Sequence, residues 1–139
     1  MRGDVATGYS DIGDVLLKQG KTRLALENYQ KATAMAEELR KIDRADEDLH
    51  TFLASCYKSN GKASAQLAAD EKAPFSSRIS HWREARMWFE RSQKDWLDMR
   101  QRGALRGLDA GKPDEIAGEI ARCDAALAKL QVATNQRRH

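Results

Sequence analysis

Within residues 11–32, DIGDVLLKQGKTRLALENYQKA, small and large apolar residues alternate at set places: Gly13, Leu16, Gly20, Ala25, Tyr29 and Ala32. An amphipathic helix needs apolar residues every three or four positions, but nothing requires them to be small. Small residues at fixed places mark a close crossing of two helices, where a larger side chain would force the backbones apart. Gly20 follows the apolar pattern of the first segment and suits a left-handed C-terminal turn. Two antiparallel helices joined by a tight turn are therefore expected over residues 5–41.

The pattern recurs. A shift of 41 positions lays Gly13 on Ala54, Leu16 on Tyr57, Gly20 on Gly61, Ile12 on Leu53 and Tyr9 on His50. The second half of the unit returns as Ala85, Phe89 and Ser92, with the spacing of Ala25, Tyr29 and Ala32. In this register Gly61 ends a helix as Gly20 does. Residues 62–80, KASAQLAADEKAPFSSRIS, then stand as an insertion within a second unit spanning about 45–102. The helices expected are 4–18, 21–41, 45–59, 78–102 and 113–132, with a possible short helix at 63–71. The segment 78–102 carries a stripe of Trp82, Ala85, Phe89, Ser92, Trp96 and Met99 at intervals of three and four. The last helix opens with Pro113-Asp114-Glu115, a proline in the first turn and acids at the positive end of the dipole. Its stripe is Ile116, Ile120, Cys123, Leu127 and Leu130.

These residues resemble the tetratricopeptide (TPR) repeat, a helix–turn–helix unit with a W-x₂-L-G-x₂-Y…A-x₃-F pattern. Tyr9, Ile12, Gly13, Leu16, Ala25, Tyr29 and Ala32 fill it in the first unit; Glu37 stands where the closing proline is usual. The 41-residue spacing is similar to the longer-helix variant of kinesin light chains. The resemblance covers about residues 5–102. It implies an all-α, TPR-like α-solenoid of two antiparallel helix–turn–helix repeats closed by a C-terminal capping helix, in a single domain over 1–139. The stretch from Trp82 to Leu127 also resembles the end of the tetratricopeptide tails of some large bacterial serine/threonine protein kinases, which implies a regulatory or scaffolding role in signalling. No kinase activity follows: the chain has no Gly-rich phosphate loop, HRD-type loop or DFG.

Arrays of this family line a concave groove with the first helix of each unit. Carried onto this sequence, the groove residues are Thr7, Ser10, Asp14, Leu17, Lys18, Asp48, Thr51, Ser55, Lys58 and Ser59. Asp14 and Ser55 stand at the places of the two asparagines with which some family members grip a terminal carboxylate. A carboxylate beside Asp14 would be repelled, so chaperone C-terminal tails are not expected to bind. The expected partner is a protein or peptide. On the N-terminal helix edge, Val5, Tyr9 and Ile12 have no preceding repeat to cover them, and either a second copy of the chain or an upstream repeat is expected there.

Other chemistry finds little footing. His50, His81 and His139 are scattered, with no H-E-x-x-H and no Cys/His cluster, so no enzyme, metal or cofactor is expected. His50 stands at an aromatic position of the repeat and is expected to pack there. The two cysteines, Cys56 and Cys123, lack CxxC spacing and read as buried free thiols. Residues 78–106 hold eight Lys/Arg against four Asp/Glu, near Trp82, Trp88 and Trp96. Basic residues among aromatics can stack nucleic-acid bases, yet Trp82 and Trp96 fall on the apolar stripe and the interleaved acids offer helix-face pairs. Nucleic acid is thus not the expected partner; a nucleic-acid-binding helical protein and a small helical enzyme are the alternatives. No apolar run approaches the length of a membrane span and no apolar leader opens the chain, so a cytoplasmic protein without membrane attachment is expected.

Overall fold

The computed structural model describes residues 2–137, with side chains from Asp4 onward. Among them the chain is all-α: α1 (Arg2–Lys18), α2 (Thr22–Ile42), α3 (Glu47–Ala68), α4 (Phe75–Gln101) and α5 (Lys112–Arg137), with a 3₁₀ turn at Gly107–Asp109. Each helix packs on its neighbours in sequence, α1 on α2, α2 on α3, α3 on α4 and α4 on α5.

Local chemistry sets the helix ends. α1 stops at Gly20, whose φ of 78° is open to glycine at little cost. There Lys21 N donates to Leu16 O (2.9 Å) and Gly20 N to Leu17 O (3.1 Å), which satisfies two carbonyls at the helix end. Gly103 ends α4 in the same way at φ 73°, with Ala104 N donating to Met99 O at 2.8 Å. Asp46 caps α3 by accepting from Leu49 N at 3.1 Å, and Glu47 and Asp48 occupy the positive end of its dipole.

Gly61 departs from expectation. It does not end a helix: α3 runs through it to Ala68, so no separate helix forms at 63–71. A Cβ built on Gly61 would lie 2.7 Å from Cε1 of Phe89, just as one on Gly13 would lie 2.5 Å from Cε1 of Tyr29. In both hairpins an aromatic ring of the second helix rests on a glycine of the first. Gly61, not Ala54, is thus the partner of Gly13, and the two first helices match at a spacing of 48 rather than 41. That register aligns Ala6 with Ala54, both fully buried, and Tyr9 with Tyr57. Of residues 62–80, 62–68 complete α3 and 75–80 open α4, leaving 69–74 as the turn. The second hairpin has longer helices and a longer turn.

The expected stripe of α4, Trp82, Ala85, Phe89, Ser92, Trp96 and Met99, is buried in full. Against it pack Ala54, Ala65 and Ala68 of α3 and Ile116, Cys123 and Leu130 of α5. Ala25 and Ala85, fully buried, let their helices approach. Three buried side chains donate within the core, Ser92 Oγ to Ala54 O (2.8 Å), Thr33 Oγ1 to Tyr29 O (2.7 Å) and Asn60 Nδ2 to Thr33 Oγ1 (2.7 Å), while Ser64 Oγ and Asn60 Oδ1 are buried without a partner. Both cysteines are free and buried; burial pushes the Cys56 thiol up to about 12 and that of Cys123 up to about 11. No helix among the described residues is long and apolar enough to cross a membrane.

Candidate functional site

Side chains separated by three or four positions share a helix face, so Asp14, Leu17 and Lys18 project together from α1, as do Ser55, Lys58, Ser59 and Lys62 from α3. The fold sets these two faces around one cleft of about 350 Å³. Tyr29 of α2, Trp96 of α4 and Lys112 at the start of α5 complete its lining, so all five helices contribute. Tyr29 and Trp96, each only 1% exposed, belong to the core at its base.

Charge dominates the lining. Lys18, Lys58, Lys62 and Lys112 stand against one lining carboxylate, Asp14. Asp14 is tied down: Tyr29 Oη donates to its Oδ1 at 2.6 Å. Burial, then the hydrogen bond and charge of Asp14, hold the Tyr29 phenol far above its ordinary pKa, so Tyr29 stays a neutral donor. Beside the cleft, Glu115 in the first turn of α5 accepts from Lys58 and lies 3.8 Å from Lys112. That hydrogen bond, with the charges of Lys112 and Lys62, holds the Glu115 carboxyl below its usual range. No ion pair engages Lys18 or Lys62 among the described residues. The indole N–H of Trp96 is buried without an acceptor there.

Of the expected groove residues, Asp14, Leu17, Lys18, Ser55, Lys58 and Ser59 meet in this cleft, whereas Thr7, Ser10, Asp48 and Thr51 do not line it. Thr51 points toward α4, its Oγ1 3.7 Å from Met99 Sδ. Lys62 was missed because Gly61 reads as a helix end; the i,i+4 spacing from Lys58 was the available signal. Lys112, Tyr29 and Trp96 come from other helices and carry no such signal.

Elsewhere several charges pair internally. A larger hollow of about 970 Å³ lies along Arg86, Met87, Glu90, Leu97 and Ile120. Arg86 there binds Glu90 and, at 2.5 Å, Asp124; Arg102 binds Glu47 and, at 3.0 Å, Asp98. Trp88 stacks on Tyr57 with ring centroids 5.8 Å apart, and the Arg91 guanidinium lies over the Trp88 ring, 5.0 Å from its centroid. His50 does not pack as an aromatic: it is partly buried, with Nε2 donating to Arg44 O at 2.7 Å. His81 Nδ1 lies 3.8 Å from Glu84 Oε2, and His139 lies outside the described residues. No group of three or more His, Cys, Asp or Glu among the described residues could hold a metal ion.

Compared with known proteins, the chain matches no family model, no curated protein and no solved structure.

Proposed function

We propose that the chain is a non-catalytic interaction module that binds a peptide segment of a protein partner in the cleft between α1, α3 and the start of α5. In this reading the hairpins α1–α2 and α3–α4 are two TPR-like repeats and α5 caps them, giving a short solenoid. Two observations support the arrangement: helices packed in sequence order, and an aromatic ring seated on a glycine in both hairpins. The observation that carries the function is convergence. Six groove positions implied by the family resemblance, Leu17 and five polar or charged residues, line one cleft with Lys62 and Lys112. Such surfaces recognise extended partners through side chains on rigid helices.

The test is selection of displayed peptides on the folded chain, followed by mapping of a selected peptide by amide chemical shifts. The reading expects the largest shifts at Asp14, Leu17, Ser55, Ser59 and Lys62. Shifts confined to the hollow at Arg86 and Leu97, or no selected peptide, would refute it.

A second contact is proposed for the N-terminal edge. Val5, Ile12, Val15 and Leu24 are each about half exposed (48%, 51%, 55% and 49%). Leaving that much apolar side chain in water is unfavourable, and a second copy of the chain would cover it.

A further inference from the structure

We propose that the cleft accepts an acidic peptide segment and that Glu115 is its built-in competitor. The proposal rests on the peptide-binding reading above and adds the chemistry of the ligand and a control on it.

Charge complementarity carries the first half. Four ammonium groups line the cleft against the single carboxylate of Asp14, which the Tyr29 hydroxyl engages. Lys18 and Lys62 hold no ion-pair partner among the described residues. Ammonium groups that outnumber the nearby carboxylates raise the local potential and favour an anion. An acidic segment supplies carboxylates for these lysines. A peptide fits better than a nucleic acid. Tyr29 and Trp96 are 1% exposed and offer no open ring face for a base to stack on.

Glu115 carries the second half. It is a carboxylate already bound to Lys58, near Lys112 and Lys62, at the rim of the cleft. It holds the position a ligand carboxylate would take, and an incoming acid must displace it. About half of the Glu115 side chain is exposed (47%) against 16% for Lys58, so the carboxylate side of the pair is open to exchange with an incoming acid.

The experiment is fluorescence anisotropy with a labelled, N-acetylated and C-amidated peptide of alternating Glu and Leu, in which no terminal carboxylate is available. Gln-for-Glu and Lys-for-Glu peptides and single-stranded DNA serve as comparisons, and circular dichroism melts verify that each variant folds. The Glu peptide is expected to bind, weakening as salt rises. The Gln peptide should bind at least about five-fold more weakly, and the Lys peptide not at all. Glu115→Gln should tighten the Glu peptide by about two- to five-fold and leave the Gln peptide unchanged. Lys62→Gln, which breaks no ion pair of the fold, should weaken it by a similar factor. Equal binding of Glu and Gln peptides would overturn the proposal while leaving the peptide-binding reading standing; failure of every peptide would overturn both. Unchanged or weaker binding by Glu115→Gln would overturn the competitor role, and tighter binding of DNA than of the Glu peptide would overturn the choice of ligand.

Discussion

Replacing Gly61 with alanine would put a methyl group 2.7, 2.8 and 2.9 Å from Cε1, Cδ1 and Cζ of Phe89. Real Cβ atoms do not approach ring carbons so closely, so the ring or one of the helices must move. Phe89 is fully buried, and Ala54, Trp82, Ala85 and Trp96 share its core, so the ring has little room to yield. Overpacking of this kind costs about 1–3 kcal/mol. Against it stands the gain from removing a mid-helix glycine, about 0.5–1 kcal/mol. The balance is a loss of about 1 kcal/mol. For 139 residues, an unfolding entropy of roughly 2.1 cal/mol/K per residue turns that into a fall in Tm of roughly 3 °C. Gly118 on α5 is the control: a Cβ there meets nothing within 4 Å. Gly118→Ala should keep the helix gain alone and raise Tm by roughly 2–3 °C. Thermal melts of both variants decide the matter. Should Gly61→Ala stabilise as much as Gly118→Ala, the ring does not press on the backbone there, and the packing argument fails.

Four further outcomes follow from the same physics. Gly20 holds φ 78°, so Gly20→Ala should cost about 1–2 kcal/mol despite open space around the site, read as a lower Tm. The thiols of Cys56 and Cys123 are raised from 9.0 to about 12 and about 11, so their contribution to stability is intact below pH 9. It is lost as pH rises from 9 toward those values, and Tm should fall there less steeply for Cys56→Ala, relative to its own value at pH 8. Burial raises the Asp95 carboxyl and Arg40, 3.3 Å away, opposes that shift. Arg40→Gln should therefore cost about 1–3 kcal/mol by stranding the carboxylate, while Asp95→Asn is expected to be milder in denaturant titrations. Sedimentation velocity should show association that grows with concentration and disappears in Ile12→Lys; a strict monomer at high concentration would count against the N-terminal contact.

The sequence made the apolar side of the fold legible, since core stripes obey helical spacing. All six stripe residues of α4 are buried, and Ile116, Cys123 and Leu130 of α5 with them. The glycines were harder, because a sequence does not display φ. Gly20 and Gly61 both follow an apolar helical segment, yet only Gly20 adopts the left-handed region. The run after Gly61, KASAQLAA, is rich in helix formers and argued for continuation, but an isolated glycine near the end of a pattern also reads as a stop. That single ambiguity displaced the expected match between the two hairpins by seven residues and hid Lys62 from the expected groove. Lys112 and Trp96 could not be read from spacing at all; only the packing of α4 on α3 and of α5 on α4 brings them to the cleft with Lys58. The likeness to kinase tails rests on sequence alone.

Nuclear Overhauser contacts between the aromatic rings and the glycine α-protons test the central claim most directly, since they report both helix crossings in solution at once. Strong contacts are predicted from the Tyr29 ring to Gly13 and from the Phe89 ring to Gly61. Their absence, with either glycine α-proton seeing only its own helix, would contradict the paired-hairpin packing and the cleft built upon it.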